Sequence, residues 1–161
     1  MTKDVKNPKV FISYSWSSKE YEKKVLDLAF RLKENGIIVM LDKWMMKPGT
    51  DNINFMEKCV KDKEVDYVLI LIDKIYTQKA NNRVGGVGIE TQIISKEVYD
   101  NVEQTKFIPI VFDRDEDGNI EVPVYLRNRF HIDFTKGDPE LSYIHLVKTI
   151  FGKEVYKEPE L

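Results

Sequence analysis

At 161 residues, 42% of them apolar and 32% charged, the chain fits one globular domain large enough to bury a core. Its 25 basic and 27 acidic residues leave a formal net charge of -2, which excludes a bulk electrostatic pull toward nucleic acid or an anionic membrane. A single cysteine, Cys59, excludes an internal disulfide framework, and no apolar run approaches the ~18 residues of a membrane span. With a polar N-terminus that lacks a signal-peptide core, the expectation is a cytoplasmic domain.

Residues 1–8 are expected to form a flexible lead-in, 9–151 the domain and 152–161 a charged tail. Lys9–Tyr14 is a short β-rich run after Pro8 and is assigned as the first strand. Ser17 or Ser18 can cap a helix over Lys19–Glu34, where Tyr21, Val25, Leu28, Ala29 and Leu32 make one apolar stripe. Asn35-Gly36 ends it as a left-handed cap. The second strand, Ile37–Leu41, is apolar throughout, as a strand covered on both faces would be. Asp42–Thr50 is a loop punctuated by Pro48-Gly49, and Thr50 or Asp51 caps a second helix with Ile53, Met56, Cys59 and Val60 on one face. Cys59 belongs to that stripe and is assigned to the core, not to nucleophilic chemistry.

Val65–Ile72 is the strongest strand and is expected at the centre of the sheet. Asp73–Arg83 reads as polar loop, and a third helix is expected over Gly88–Tyr99. Phe107–Phe112 is a fourth strand whose Pro109 cannot donate to a ladder, which places it near an edge or makes it locally irregular. Phe130–Phe134 is a fifth, short strand. Asp138-Pro139 opens the last helix, with Tyr143, Leu146, Val147, Ile150 and Phe151 on its core face. Strands alternating with helices give a mostly parallel sheet with right-handed crossovers. The expected fold is α/β, flavodoxin-like, with three layers and five strands in the order 2-1-3-4-5.

That order makes a ligand crevice at the carboxyl ends of strands 1 and 3, where the strand order reverses. Tyr14, Ser15 and Trp16 follow strand 1, while Asp42, Lys43 and Trp44 follow strand 2. The segment after strand 3 brings Arg83, then Gly85, Gly86 and Gly88, then Glu90 at the start of a helical pattern. A first-turn acid is favoured by the helix dipole whatever its function. Glu90, however, adjoins the apolar stripe instead of the solvated face, and the other two polar-aromatic clusters point to the same rim.

Other motifs are weaker. The glycines fit neither a dinucleotide fingerprint nor a phosphate-binding loop. Asp113–Ile120 copies the first eight positions of a calcium loop, but the twelfth is Val124 in place of a bidentate glutamate, so it is assigned as a turn. His131 and His145 form no metal pair, and no metal site is expected. Trp16 and Trp44 sit in polar loops after strand ends, where an indole can stack on a base or anchor a partner protein.

Phe11-Ile12-Ser13-Tyr14-Ser15-Trp16, Leu41-Asp42-Lys43-Trp44 with Lys47-Pro48-Gly49, and Asn81-Asn82-Arg83 with Gly85-Gly86-Val87-Gly88 occur together and in order. In these stretches, within a span of about Lys9 to Phe151, the chain resembles TIR-type domains, with details closer to the SEFIR branch known from interleukin-receptor signalling and from bacteria. The resemblance implies the same flavodoxin-like fold and two kinds of function. Many bacterial and some animal or plant TIR domains cleave the nicotinamide–ribose bond of NAD+ with a glutamate on the third helix, a position that falls on Glu90. Enzymatic members often carry tryptophan four residues earlier, where this chain has Gly86.

On this reading NAD+ is a substrate and not a cofactor, with Tyr14, Ser15 and Trp44 positioning it and Asp42, Lys43 and Arg83 giving polar or phosphate contacts. Self-assembly, in immune or anti-phage type signalling, would activate the site. The competing reading is a SEFIR adaptor without activity, pairing homotypically through Trp44, Met45, Met46, Lys47, Pro48 and Gly49. Hydrolysis of NAD+ is the favoured expectation of the two.

Overall fold

The structure, a computed structural model, describes residues 7–82, 106–152 and 159–160. Its elements in chain order are β1 (Lys9–Ser13), α1 (Lys19–Glu34), β2 (Ile38–Met40), α2 (Asp42–Met45), α3 (Asn52–Lys61), β3 (Tyr67–Ile72), α4 (Lys74–Asn82), β4 (Phe107–Val111), a 3-10 turn (Val124–Leu126), β5 (Ile132–Asp133) and α5 (Pro139–Ile150). The strands form one sheet in the order β2-β1-β3-β4-β5, and all four pairings are parallel. This is the expected order, with β3 at the centre.

Successive strand residues point to opposite faces, and the core divides accordingly. Val10, Ile12, Leu69, Leu71 and Ile110 pack under α1 and α5, against Val25, Leu28, Leu32, Leu146 and Ile150. Phe11, Val68, Ile70 and Ile72 pack on the other face against Cys59 and Val60 of α3 and Tyr76 and Ala80 of α4. Cys59 is therefore a core residue, as its place on an apolar stripe required. The helix ends follow their capping signals. Ser18 accepts from the Tyr21 N–H at 3.1 Å, Asp51 from Asn54 and Asp138 from Glu140, while Gly36 takes φ +85° after α1.

Several elements differ from the sequence expectations. β2 shrinks to three residues at the sheet margin, where Ile38 is 43% exposed; only the flanking Ile37 and Leu41 are fully buried. Asp42–Met45 is a helical turn, closed by the Met46 N–H on the Asp42 carbonyl. Lys74–Asn82 is a helix, not loop: the Asp73 carboxylate caps it by accepting from the Tyr76 N–H, and Tyr76, Thr77 and Ala80 are buried. Phe151 is exposed at the C-cap of α5, outside the core face assigned to it. The fifth strand is only Ile132–Asp133. The helix expected over 88–99 lies outside the described residues.

Pro109 sits next to the edge strand, and its position follows from parity. Val68 donates to the Lys106 carbonyl and Phe112 to that of Ile72, so even-numbered residues of β4 face β3. Pro109 turns its missing N–H the other way, toward β5, whose pairing begins only at Ile110. A cleft of about 390 Å³ opens there, lined by Pro109, Phe130, Ile132 and His145 among others. It lies away from the carboxyl ends of β1 and β3.

Candidate functional site

The carboxyl ends of β1 and β3 gather the buried polar side chains of the described residues: Ser13, Ser15, Asp73 and Thr77. Elsewhere the strands bury only apolar groups, so this end of the sheet is where desolvation is accepted. Ser13 shares a hydrogen bond with the Tyr76 hydroxyl at 3.0 Å. Asp73, directly after β3, accepts from the Ser17 hydroxyl at 2.5 Å and from the Tyr76 N–H at 2.8 Å. Its burial raises its pKa above the ordinary carboxylate value against the pull of those two hydrogen bonds, with nearby Asp113 adding to the rise. Ser15 is completely buried, and among the described residues its hydroxyl has no hydrogen-bond partner; the same holds for the Tyr21 hydroxyl.

Around this floor the loops after β1 and β2 are tied together by one carboxylate. Asp42 accepts from the Tyr14 hydroxyl at 2.8 Å, from the Trp16 indole N–H at 3.0 Å and from its neighbour's backbone N–H at 2.7 Å. Burial, and then the charge of Asp42, raises the Tyr14 pKa, so the phenol stays a donor. Lys43 pairs with Glu22 at 2.5 Å and lies 4.5 Å over the Trp16 ring. Four of the residues singled out from the sequence, Tyr14, Trp16, Asp42 and Lys43, thus form one cluster, with Ser15 beneath it.

Trp44 does not join that cluster. It turns onto the outer face of α1, where its ring centroid lies 5.5 Å from that of Phe30 and Lys33 sits 5.6 Å above it. Phe30 is 53% exposed, Trp44 39% and Met45 43%, while Met46 is half-buried and Lys47, Pro48 and Gly49 are exposed. Arg83 and Glu90 lie outside the described residues. Sequence reasoning missed Asp73, Ser17 and Phe30. Asp73 was detectable as the first residue after the strongest strand, at the carboxyl end where crevices form.

The family model for the TIR domain matches residues 10–147. The chain belongs to the TIR domain family. A crystal structure of a prokaryotic SEFIR domain is 42% identical, with a TM-score of 0.71, over 96% of this chain and 99% of that one. This places the TIR domain described here in the SEFIR branch. The TIR domain of the Toll-related receptor TRR-2 from Hydra magnipapillata superposes with a TM-score of 0.64 over 88% of this chain and 97% of its own. At 17% identity that likeness speaks for the fold alone. A search of curated proteins gave no match. Among the described residues no helix is long and apolar enough to cross a membrane.

Proposed function

We propose that this TIR/SEFIR domain acts by homotypic association, through the surface made by the loop after β2 and the outer face of α1. The observation that carries this is the exposed Phe30–Trp44 ring pair with Met45 beside it. Large apolar side chains grouped at a surface mark contact sites, and a central tryptophan is a frequent anchor of binding energy. The test is sedimentation velocity over a concentration series. Trp44→Ala should weaken self-association about 30-fold, the equivalent of an anchor worth about 2 kcal/mol. Association of unchanged strength in Trp44→Ala would reject this surface.

A second reading, cleavage of NAD+, is favoured by the buried polar floor at the carboxyl ends of β1 and β3, where the Ser15 hydroxyl has no partner among the described residues. Nicotinamide leaves a pyridinium as a neutral ring, so its departure needs no general acid. The ribose left behind approaches an oxocarbenium ion, as in glycoside hydrolysis, and one carboxylate can stabilise it. Glu90 is the proposed carboxylate. Tyr14, Ser15, Asp42, Lys43 and Arg83 are the proposed contacts to the dinucleotide, with assembly activating the site in an immune or anti-phage type response; Trp44, turned onto the outer face of α1, belongs to the association surface instead. Nicotinamide release by the concentrated protein, lost in Glu90→Gln while self-association persists, is the expected outcome. Equal release by both proteins would remove Glu90 from the chemistry.

A further inference from the structure

Asp73 is the one buried carboxyl among the described residues, 5% exposed at the end of the central strand. Capping α4 does not by itself call for a charge there, since serine, threonine or asparagine caps a helix about as well without a charge to desolvate. Its two oxygens are divided between two elements. Oδ1 takes the Tyr76 N–H of α4, and Oδ2 takes the hydroxyl of Ser17, which belongs to the loop after β1. The middle and far end of α4 are held as well: Thr77 donates its hydroxyl to the Glu121 carbonyl, and Asn81 accepts from the Val124 N–H. A helix fixed along its length is a rigid post, and Asp73 ties the loop carrying Tyr14, Ser15 and Trp16 to it.

The groups acting on Asp73 make that tie sensitive to protons. Asp113, after β4, adds like charge, and the buried Tyr21 hydroxyl of α1 is within electrostatic reach. Lys24 of α1 is turned onto the Phe112 carbonyl at 2.6 Å, and Lys74, next in the chain, is exposed. In the ionised form both oxygens accept, and the Ser17 bond is charge-assisted. A protonated carboxyl has one oxygen that must donate, so the Ser17 bond loses its charge assistance or reverses direction.

We propose that Asp73 is a proton-operated clasp that sets the position of the Tyr14–Ser18 loop against α4. The proposal is independent of whether the domain cleaves NAD+, because it concerns the loop and not the reaction. Nitrogen-15 NMR from pH 4 to 8 tests it on the intact chain with two reporters. The Tyr76 amide touches Asp73 directly, and the Trp16 indole N–H, assigned by its loss in Trp16→Phe, reports the loop. Both signals should titrate with one midpoint, above the ordinary carboxylate range. Asp73→Asn should flatten both, and Ser17→Ala should keep the Tyr76 titration while removing that midpoint from Trp16. A Trp16 signal that ignores the Tyr76 transition would reduce Asp73 to a helix cap. A Trp16 titration that survives Asp73→Asn would belong to another group, and would overturn the proposal. Should Asp73→Asn fail to fold, Ser17→Ala still decides between these outcomes.

Discussion

With one carboxylate, Asp42 fixes the loops after β1 and β2 to each other. Truncation at Asp42 leaves the Tyr14 phenol, 5% exposed, without its acceptor. A buried donor left unpaired costs about 1–3 kcal/mol, so Asp42→Ala should lower the unfolding free energy by that amount, read as a lower urea midpoint with an unchanged m-value. A loss near zero would mean that the phenol finds water on relaxation. At Asp73 the sign runs the other way. Its folded pKa is above the unfolded one, so between the two values the folded state holds more protons, and stability falls as pH rises through that window. Asp73→Asn should therefore stabilise the domain at neutral pH, and the gain should shrink as pH falls toward about 4, the ordinary carboxyl value. Melting curves at a series of pH values measure this. A difference independent of pH would assign the effect to packing.

At the scale of elements, legibility tracked how much of the local signal was carried by caps and periodicity. The bounds of α1 were readable because Ser18 and Asn35-Gly36 punctuate a five-residue apolar stripe, and each of those signals is used in the structure. Ser18→Ala should cost about 1 kcal/mol. Gly36→Ala should cost about 1–2 kcal/mol, because a Cβ there meets open space and the whole penalty lies in the +85° φ. Both are measurable by chemical denaturation, and a neutral Gly36→Ala would mean the turn can relax to negative φ. In contrast, α4 was hidden. Its stretch is mostly polar, and only Tyr76, Thr77 and Ala80 turn inward, too narrow a stripe to outweigh the loop-like composition. The edge position of β2 was implicit in the strand order, but the unbroken apolar run Ile37–Leu41 resembled a strand buried on both faces. The site was legible as a cluster of loop residues after β1 and β2. The orientation of Trp44 was not, because it depends on Phe30, fourteen residues away on another element.

For the whole molecule, the two sheet margins both carry exposed apolar groups, and association can use either or join one to the other. Beside β2 stand Phe30, Ile38, Trp44 and Met45; beside β5 stand Phe130, 83% exposed, and Leu141, 66% exposed. Self-association stabilises the folded chain by mass action, by about 0.7 kcal/mol per chain for each tenfold rise in concentration well above the dissociation constant of a dimer, and by more, up to about 1.4 kcal/mol, for larger assemblies. The Tm should therefore climb with protein concentration. Phe30→Ser should flatten that climb while leaving the dilute Tm nearly unchanged, since Phe30 is already half in solvent and its removal opens no core cavity. Phe130→Ser supplies the contrast. If it alone flattens the curve, the β5 margin is the contact and the Trp44 surface is not. If each flattens it, the two margins meet head to tail, a heterologous contact that closes into a ring or continues as a filament, and light scattering at high concentration would tell a fixed mass from one that keeps growing.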